Sequence, residues 1–272
     1  ILAGIVASSR IIMGAHFFTD IVGGIAVSYI GVKLTKLFLD KRFPIKTNEK
    51  TNLLFNKKFY FSLVVLIFLA IFLAVGSSID VYLSYLFYHG NNQFLLQSYY
   101  YTTIFVRKII LPIIVVYIFI LPIFSMFLPL NQLYFKYIFK IKDIVFLWIT
   151  GICNLGLVVN FLLKNFWGRA RPGDTLELDG KEDFTPWFQI SDACANNCSF
   201  VSGDASVGFA VIVLYFLSKK MVFFWLSLFF GFGIGLIRIM EGGHFVSDVV
   251  MAALVLYLVY YFQIKYYFNK YD

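Results

Sequence analysis

Charge is what this sequence has least of. Asp, Glu, Lys and Arg make up 14 % of its 272 residues, against roughly a quarter in an ordinary soluble domain. That shortage excludes a soluble globular surface, because the 33 Phe and 18 Tyr exceed what a soluble core of this size can hide. The surplus must face lipid. Cysteine and histidine are scarce too, at three each. Cys153, Cys194 and Cys198 have no zinc-like spacing. The acidic run Asp174, Glu177, Asp179, Glu182, Asp183 lacks the spaced ligands and glycine of a calcium loop, so it reads as a solvated loop. No metal and no cofactor are expected. Acidic residues are outnumbered by basic ones, 15 to 23, leaving a net charge of +8. In a soluble chain that balance suggests nucleic acid. Here the basic residues cluster between apolar runs, the positive-inside pattern of membrane proteins, and no nucleic-acid partner is expected.

What is abundant is apolar sequence in long runs. A bilayer core needs about 20 apolar residues per helix. Residues 59–79, 109–135 and 144–163 carry no charge over 21, 27 and 20 positions. Three later runs, 205–218, 221–237 and 249–264, are shorter, and each abuts a polar group, Asp204, Arg238 or Asp248. The spacing predicts six spans in an all-α membrane bundle. Loops on one side (33–58, 135–143, 219–220 and 265–272) hold 15 Lys/Arg and 4 Asp/Glu, and the other side holds 8 and 11. The first side is then cytoplasmic. Every polar cluster falls on the opposite, outer side, which is periplasmic in a bacterium with two membranes.

The thirteen residues from Arg10 to Val22 align with Arg238 to Val250, and seven are identical, including Arg10/Arg238, His16/His244 and Asp20/Asp248. Self-similarity of this kind marks duplicated units. Residues 1–32 are therefore expected to be the C-terminal remnant of a first unit, 33–58 a basic cytoplasmic linker, and 59–268 a complete six-span unit. The chain opens at Ile1 on what looks like the end of a membrane helix, so a fragment or processed product is expected.

Within the complete unit, Lys164 is followed seven residues later by Arg171-Pro172, then by Ser202-Gly203-Asp204, then by Arg238, His244 and Asp248. On a helix His244 and Asp248 lie one turn apart. A carboxylate there can fix the imidazole tautomer and leave the other ring nitrogen free to attack. Lys164, Arg171 and Arg238 would suit a phosphoryl dianion, and the helix start at Ser202-Gly203 offers amides to an anion.

These residues resemble the type 2 phosphatidic acid phosphatase superfamily, whose pattern is Lys-x6-Arg-Pro, Pro-Ser-Gly-His, and Ser-Arg-x5-His-x3-Asp. The resemblance implies metal-independent removal of phosphate from a membrane lipid. His244 would be the nucleophile that becomes a phosphohistidine, Asp248 would orient it, and Lys164, Arg171, Ser202, Gly203 and Arg238 would hold the phosphate. Asp204 stands where the family has the histidine that protonates the leaving group, as in a bacterial subset, and Ile237 stands where the family has Ser. A carboxylate flanked by cations is a poor proton donor at neutral pH. A leaving group needing little protonation is therefore expected: a diphosphate lipid first, a glycosyl phosphate as on lipid A second. The rival readings are a lipid phosphotransferase and a degenerate duplicate that binds phospholipid headgroups without turnover.

Four further features carry expectations. Arg169 has no motif position and is open as a substrate or headgroup contact. Glu241 could pair with Arg238 or His244, and His89 lies in an aromatic loop suited to a membrane interface. Cys194 and Cys198, in the outer loop, could bond and stiffen the phosphate cradle.

Overall fold

The computed structural model describes residues 57–91, 93–96, 100–124 and 141–271. The predicted first-unit remnant, with Arg10, His16 and Asp20, and the linker up to residue 56 lie outside the described residues. Among the described residues the regular elements are helical, joined by loops with two isolated β-bridges.

Five helices are long and apolar enough to cross a membrane: α1 (Lys57–Val75), α3 (Thr103–Phe124), α4 (Ile141–Phe166), α7 (Met221–Met240) and α8, whose span is Val246–Tyr267. A short helix, α2 (Ser78–Tyr85), follows α1 after a turn at Gly76. The sixth apolar segment is two collinear pieces, α5 (Gly203–Phe209) and α6 (Ile212–Ser218). Five of the six expected spans are helices of bilayer length, and the expected 205–218 run is a shorter, divided helix.

The largest shift is in α3, which begins at Thr103, six residues ahead of the predicted run, and so takes in Arg107 and Lys108. Two stretches of α3, Val106–Ile110 and Val116–Ile120, are wound as π-helix. Each ends two residues before a proline, Pro112 or Pro122. Proline lacks an N–H and crowds the carbonyl four residues back, which opens the preceding turn. Arg107 sits on the first of these opened turns.

The burial pattern separates lipid face from bundle interior. Phe61, Phe68, Phe229 and Phe262 stand exposed, each by more than 60 %. Every residue of α6 is buried, as expected of a helix apolar all round. The short α5 is the hub, packing against α3, α4, α7 and α8. Its closest approach needs glycine: a Cβ on Gly208 would lie 2.6 Å from the Gly231 backbone nitrogen of α7. Small residues at such crossings let membrane helices meet backbone to backbone.

Lipid tails are as apolar as Leu, so burial alone does not drive helices together, and polar links add about 0.6–2 kcal/mol each. The bundle has several. Asn154 of α4 and Gln263 of α8 exchange amide hydrogen bonds at 2.9 and 2.8 Å. The Ser227 hydroxyl donates to the Phe209 carbonyl and lies 2.9 Å from the Tyr257 hydroxyl, tying α7 to α5 and α8. Near the far end of the bundle, the Tyr267 hydroxyl donates to Asp143 at 2.8 Å.

Candidate active site

Alternating helix direction decides where the polar residues meet. α4 and α7 end, and α5 and α8 begin, at the same end of the bundle, so Lys164, Ser202, Arg238 and Asp248 are brought together there. The short helix α2, which follows α1, and the N-terminal end of α3 come to that end as well and add Asp80 and Arg107.

The first and second motifs touch. A Cβ on Gly203 would lie 2.9 Å from Lys164 Cε, so the lysine lies close across the start of α5. Ser202 precedes that helix in extended conformation, and its hydroxyl makes no capping bond. It is buried without any hydrogen-bond partner, an arrangement that costs about 1–3 kcal/mol unless something fills it. The third motif adds Arg238, whose guanidinium packs where a side chain on Gly243 would stand, 2.5 Å from Nη2. Arg238 pairs with Glu241 through Nη1, and its Nε lies 3.3 Å from Asp204 Oδ2. Arg107 reaches the same carboxylate oxygen at 3.4 Å.

Arg107, Arg171 and Arg238 share a cavity of about 280 Å³ with Asp174, Glu241, Gly242 and Gly243. Burial first, then repulsion from Arg238, lowers the pKa of Arg171 below its ordinary value. The site therefore holds crowded positive charge that an anion would relieve. His244 is 1 % exposed and is absent from the cavity lining. Burial first, then repulsion from Arg238 and Lys164, takes its imidazole down to about 4 against the opposing charge of Asp248. The ring is neutral at neutral pH, as a nucleophile requires.

The expected direct bond between His244 and Asp248 is stretched, with Nδ1 3.8 Å from Oδ2, beyond hydrogen-bond reach. Asp248 is instead held from other directions. Its Oδ2 accepts from the Ser199 hydroxyl at 2.5 Å and from the Phe245 amide at 2.9 Å, and Oδ1 accepts from Arg169 at 2.6 Å. The Ser199 hydroxyl lies 3.5 Å from His244 Nδ1 and so sits between the two.

Arg169 is no substrate contact. Its guanidinium is fully buried, paired with Asp248 on one side and with Asp80 at 2.9 Å on the other, and it stacks on the Phe245 ring at 4.3 Å. Asp80 also accepts from the Ser247 amide at 2.9 Å and from the Ser247 hydroxyl. Burial raises the Asp80 carboxyl, while Arg169 pulls it down. Gly168 makes room for this arrangement at φ +65°, where a Cβ would fall 1.6 Å from the Ser191 carbonyl oxygen.

Of the other residues singled out in the sequence, Glu241 pairs with Arg238, and His89 stays in a turn closed by the Tyr88–Phe94 bridge. Cys194 and Cys198 are joined, with Cα atoms 5.6 Å apart. Among the described residues no cluster of His, Cys, Asp and Glu could hold a metal ion. Sequence reasoning missed Asp80, Arg107 and Ser199. Two of them left a trace: Asp80 is the charge that ends the first apolar run, and Arg107-Lys108 is the pair that precedes the second.

Fold and site together define a helical membrane protein with a cationic pocket beside a neutral, buried histidine. Residues 144–272, the stretch that holds all three motifs, match the PAP2 superfamily. It is similar to a lipid A 4'-phosphatase of Francisella tularensis subsp. novicida (strain U112), 42 % identical over 127 residues, which is 44 % of this chain and 57 % of the relative. It is also similar to a lipid A 4'-phosphatase of Rhizobium leguminosarum, 36 % identical over 101 residues, which is 36 % of this chain and 43 % of that relative. The chain thus spans about half the length of the curated relatives it matches. No solved structure matches it. Asp80 and Arg107 lie outside the stretch that matches the family.

Proposed function

We propose that the chain is a lipid phosphatase that hydrolyses a phosphomonoester on a membrane lipid of the lipid A class, without a metal, at the outer face of a bacterial inner membrane. The observation that carries this reading is the gathering of Lys164, Arg171, Arg238 and the unpartnered Ser202 hydroxyl around a neutral His244. The names of the relatives favour a lipid A phosphate over the diphosphate that Asp204 alone suggested. The excess of basic residues at the opposite end of the bundle supports the outer placement.

The phosphate displaces the Glu241 and Asp204 carboxylates from Arg238, and the four donors take its oxygens. The ring nitrogen of His244 that faces away from Asp248 attacks phosphorus as the bond to the lipid oxygen breaks. That oxygen takes its proton from water. Water then attacks the phosphohistidine, releasing inorganic phosphate and restoring the imidazole. Ser199, Asp248 and Arg169 hold the ring in place and do not touch the substrate.

The test is phosphate release by purified protein from a panel of lipid phosphates and diphosphates, with and without a chelator. Turnover of a lipid A phosphate that is unchanged by chelator and lost in His244→Ala is expected. Turnover that persists in His244→Ala, or that needs a divalent cation, overturns the reading. Transfer of the phosphoryl group to a second lipid, with no free phosphate, would make the protein a phosphotransferase instead.

A further inference from the structure

We propose that Asn197, carried on the disulfide-closed ring Cys194–Cys198, is a positioning residue that aims Lys164 and Arg171 at the phosphate. The proposal rests on the reading of the pocket as a phosphate site and assigns a role to a residue that belongs to none of the three motifs.

Asn197 bonds both cations of the first motif at once. Its side-chain oxygen accepts from Lys164 Nζ at 3.0 Å, and its backbone carbonyl accepts from an Arg171 guanidinium nitrogen at 2.8 Å. Both contacts are available because the residue lies in the left-handed region, φ +51°, which Asn tolerates better than most residues. The neighbouring backbone is zipped to the same segment. The Cys198 amide donates to the Lys164 carbonyl at 3.0 Å, and the Ser199 amide donates to the Arg169 carbonyl at 2.9 Å.

Lysine and arginine side chains each carry about 2 kcal/mol of rotamer entropy that a ligand must freeze out. Fixing them before the ligand arrives lowers that cost. One of the three Lys164 protons is given to Asn197, which leaves the others with a defined direction. An exposed residue could not hold these contacts against water on a free loop, and Asn197 is exposed. The ring supplies the missing rigidity. A bridge between residues four apart restrains the unfolded chain less than a long loop does, so its effect falls on local geometry. An amide also suits the position because it accepts a hydrogen bond without adding negative charge that would compete with phosphate.

The test is a double-mutant cycle read by calorimetric titration of inorganic phosphate into the purified full chain. Asn197→Gly keeps the left-handed backbone and its carbonyl while deleting the side-chain acceptor. Phosphate affinity is expected to fall about tenfold, the worth of one charge-assisted hydrogen bond. In a Lys164→Gln background the same change is expected to cost less than twofold. Reducing the disulfide in the wild-type protein is expected to weaken phosphate several-fold. The proposal is overturned if Asn197→Gly binds within twofold of wild type, if it costs the same in both backgrounds, or if reduction changes nothing. Phosphate binding without release from any lipid phosphate would sink the phosphatase reading and leave Asn197 standing. A wild-type chain that binds no phosphate sinks both.

Discussion

At the scale of single residues, the proposed function sets carboxylates and phosphate in contest for the same cations. Arg238 pairs with Glu241 and lies 3.3 Å from Asp204. Glu241→Gln removes one competitor, so KM for a lipid phosphate should fall a few-fold with kcat little changed. A rise in KM would mean that Glu241 holds Arg238 in place for the substrate. His244 sets the pH dependence. Its folded pKa is about 4, against an ordinary value of 6.5. The neutral nucleophile therefore survives well below pH 6.5, and the acidic limb of kcat/KM is expected nearer pH 4. The stability link has a definite sign. Below pH 6.5 the unfolded chain takes up a proton that the folded imidazole refuses, so this histidine's contribution is full above 6.5 and is lost as pH falls toward 4. An acidic limb centred near 6.5 would contradict the buried, cation-flanked setting of the ring.

At the scale of elements, the close crossing of α5 and α7 is what places Ser202 and Arg238 side by side. Gly208→Ala would put a methyl 2.6 Å from the Gly231 nitrogen and 2.6 Å from the Phe230 carbonyl carbon, both backbone atoms that cannot swing away. Overpacking of this kind costs about 1–3 kcal/mol. Thermal unfolding in detergent should show a clear drop in Tm, together with lost activity at moderate temperature. An unchanged Tm would show that the two helices can separate freely. The elements themselves were legible in the sequence because charge-free runs of bilayer length have no other stable home. Their ends were less so. A rule that stops a helix at the first charge excludes Arg107, whereas a helix end facing the polar pocket keeps it, with its guanidinium 3.4 Å from Asp204. The motif residues stood out in the sequence through charges at the ends of apolar runs and through their resemblance to a family pattern. Asn197 and Ser199 did not, since each is one polar residue in a polar loop, and only the folded loop brings them to Lys164 and Asp248.

At the scale of the whole molecule, the site is not contained in the stretch that matches the family. Asp80, outside it, grips Arg169 and the first turn of α8 from the far side of the bundle, and Arg169 in turn grips Asp248. Asp80, Arg169 and Asp248 are each no more than 1 % exposed. Removing Asp80 takes one of two carboxylates from the buried guanidinium and leaves the Ser247 amide and hydroxyl without their acceptor, each such unsatisfied group costing about 1–3 kcal/mol. Asp80→Ala should therefore lower Tm and abolish turnover, although Asp80 touches no substrate. Pairing it with Arg169→Met tests whether the effect travels along this chain of contacts. If Asp80 acts by holding Arg169, the double variant should be about as unstable as Arg169→Met alone, because that change already removes the guanidinium Asp80 holds and strands the Asp248 carboxylate. Activity should stay low in both, since Asp248 has lost its anchor. Stability losses that simply add would place Asp80's contribution elsewhere, and full activity in Asp80→Ala would show that the 144–272 stretch orients His244 by itself.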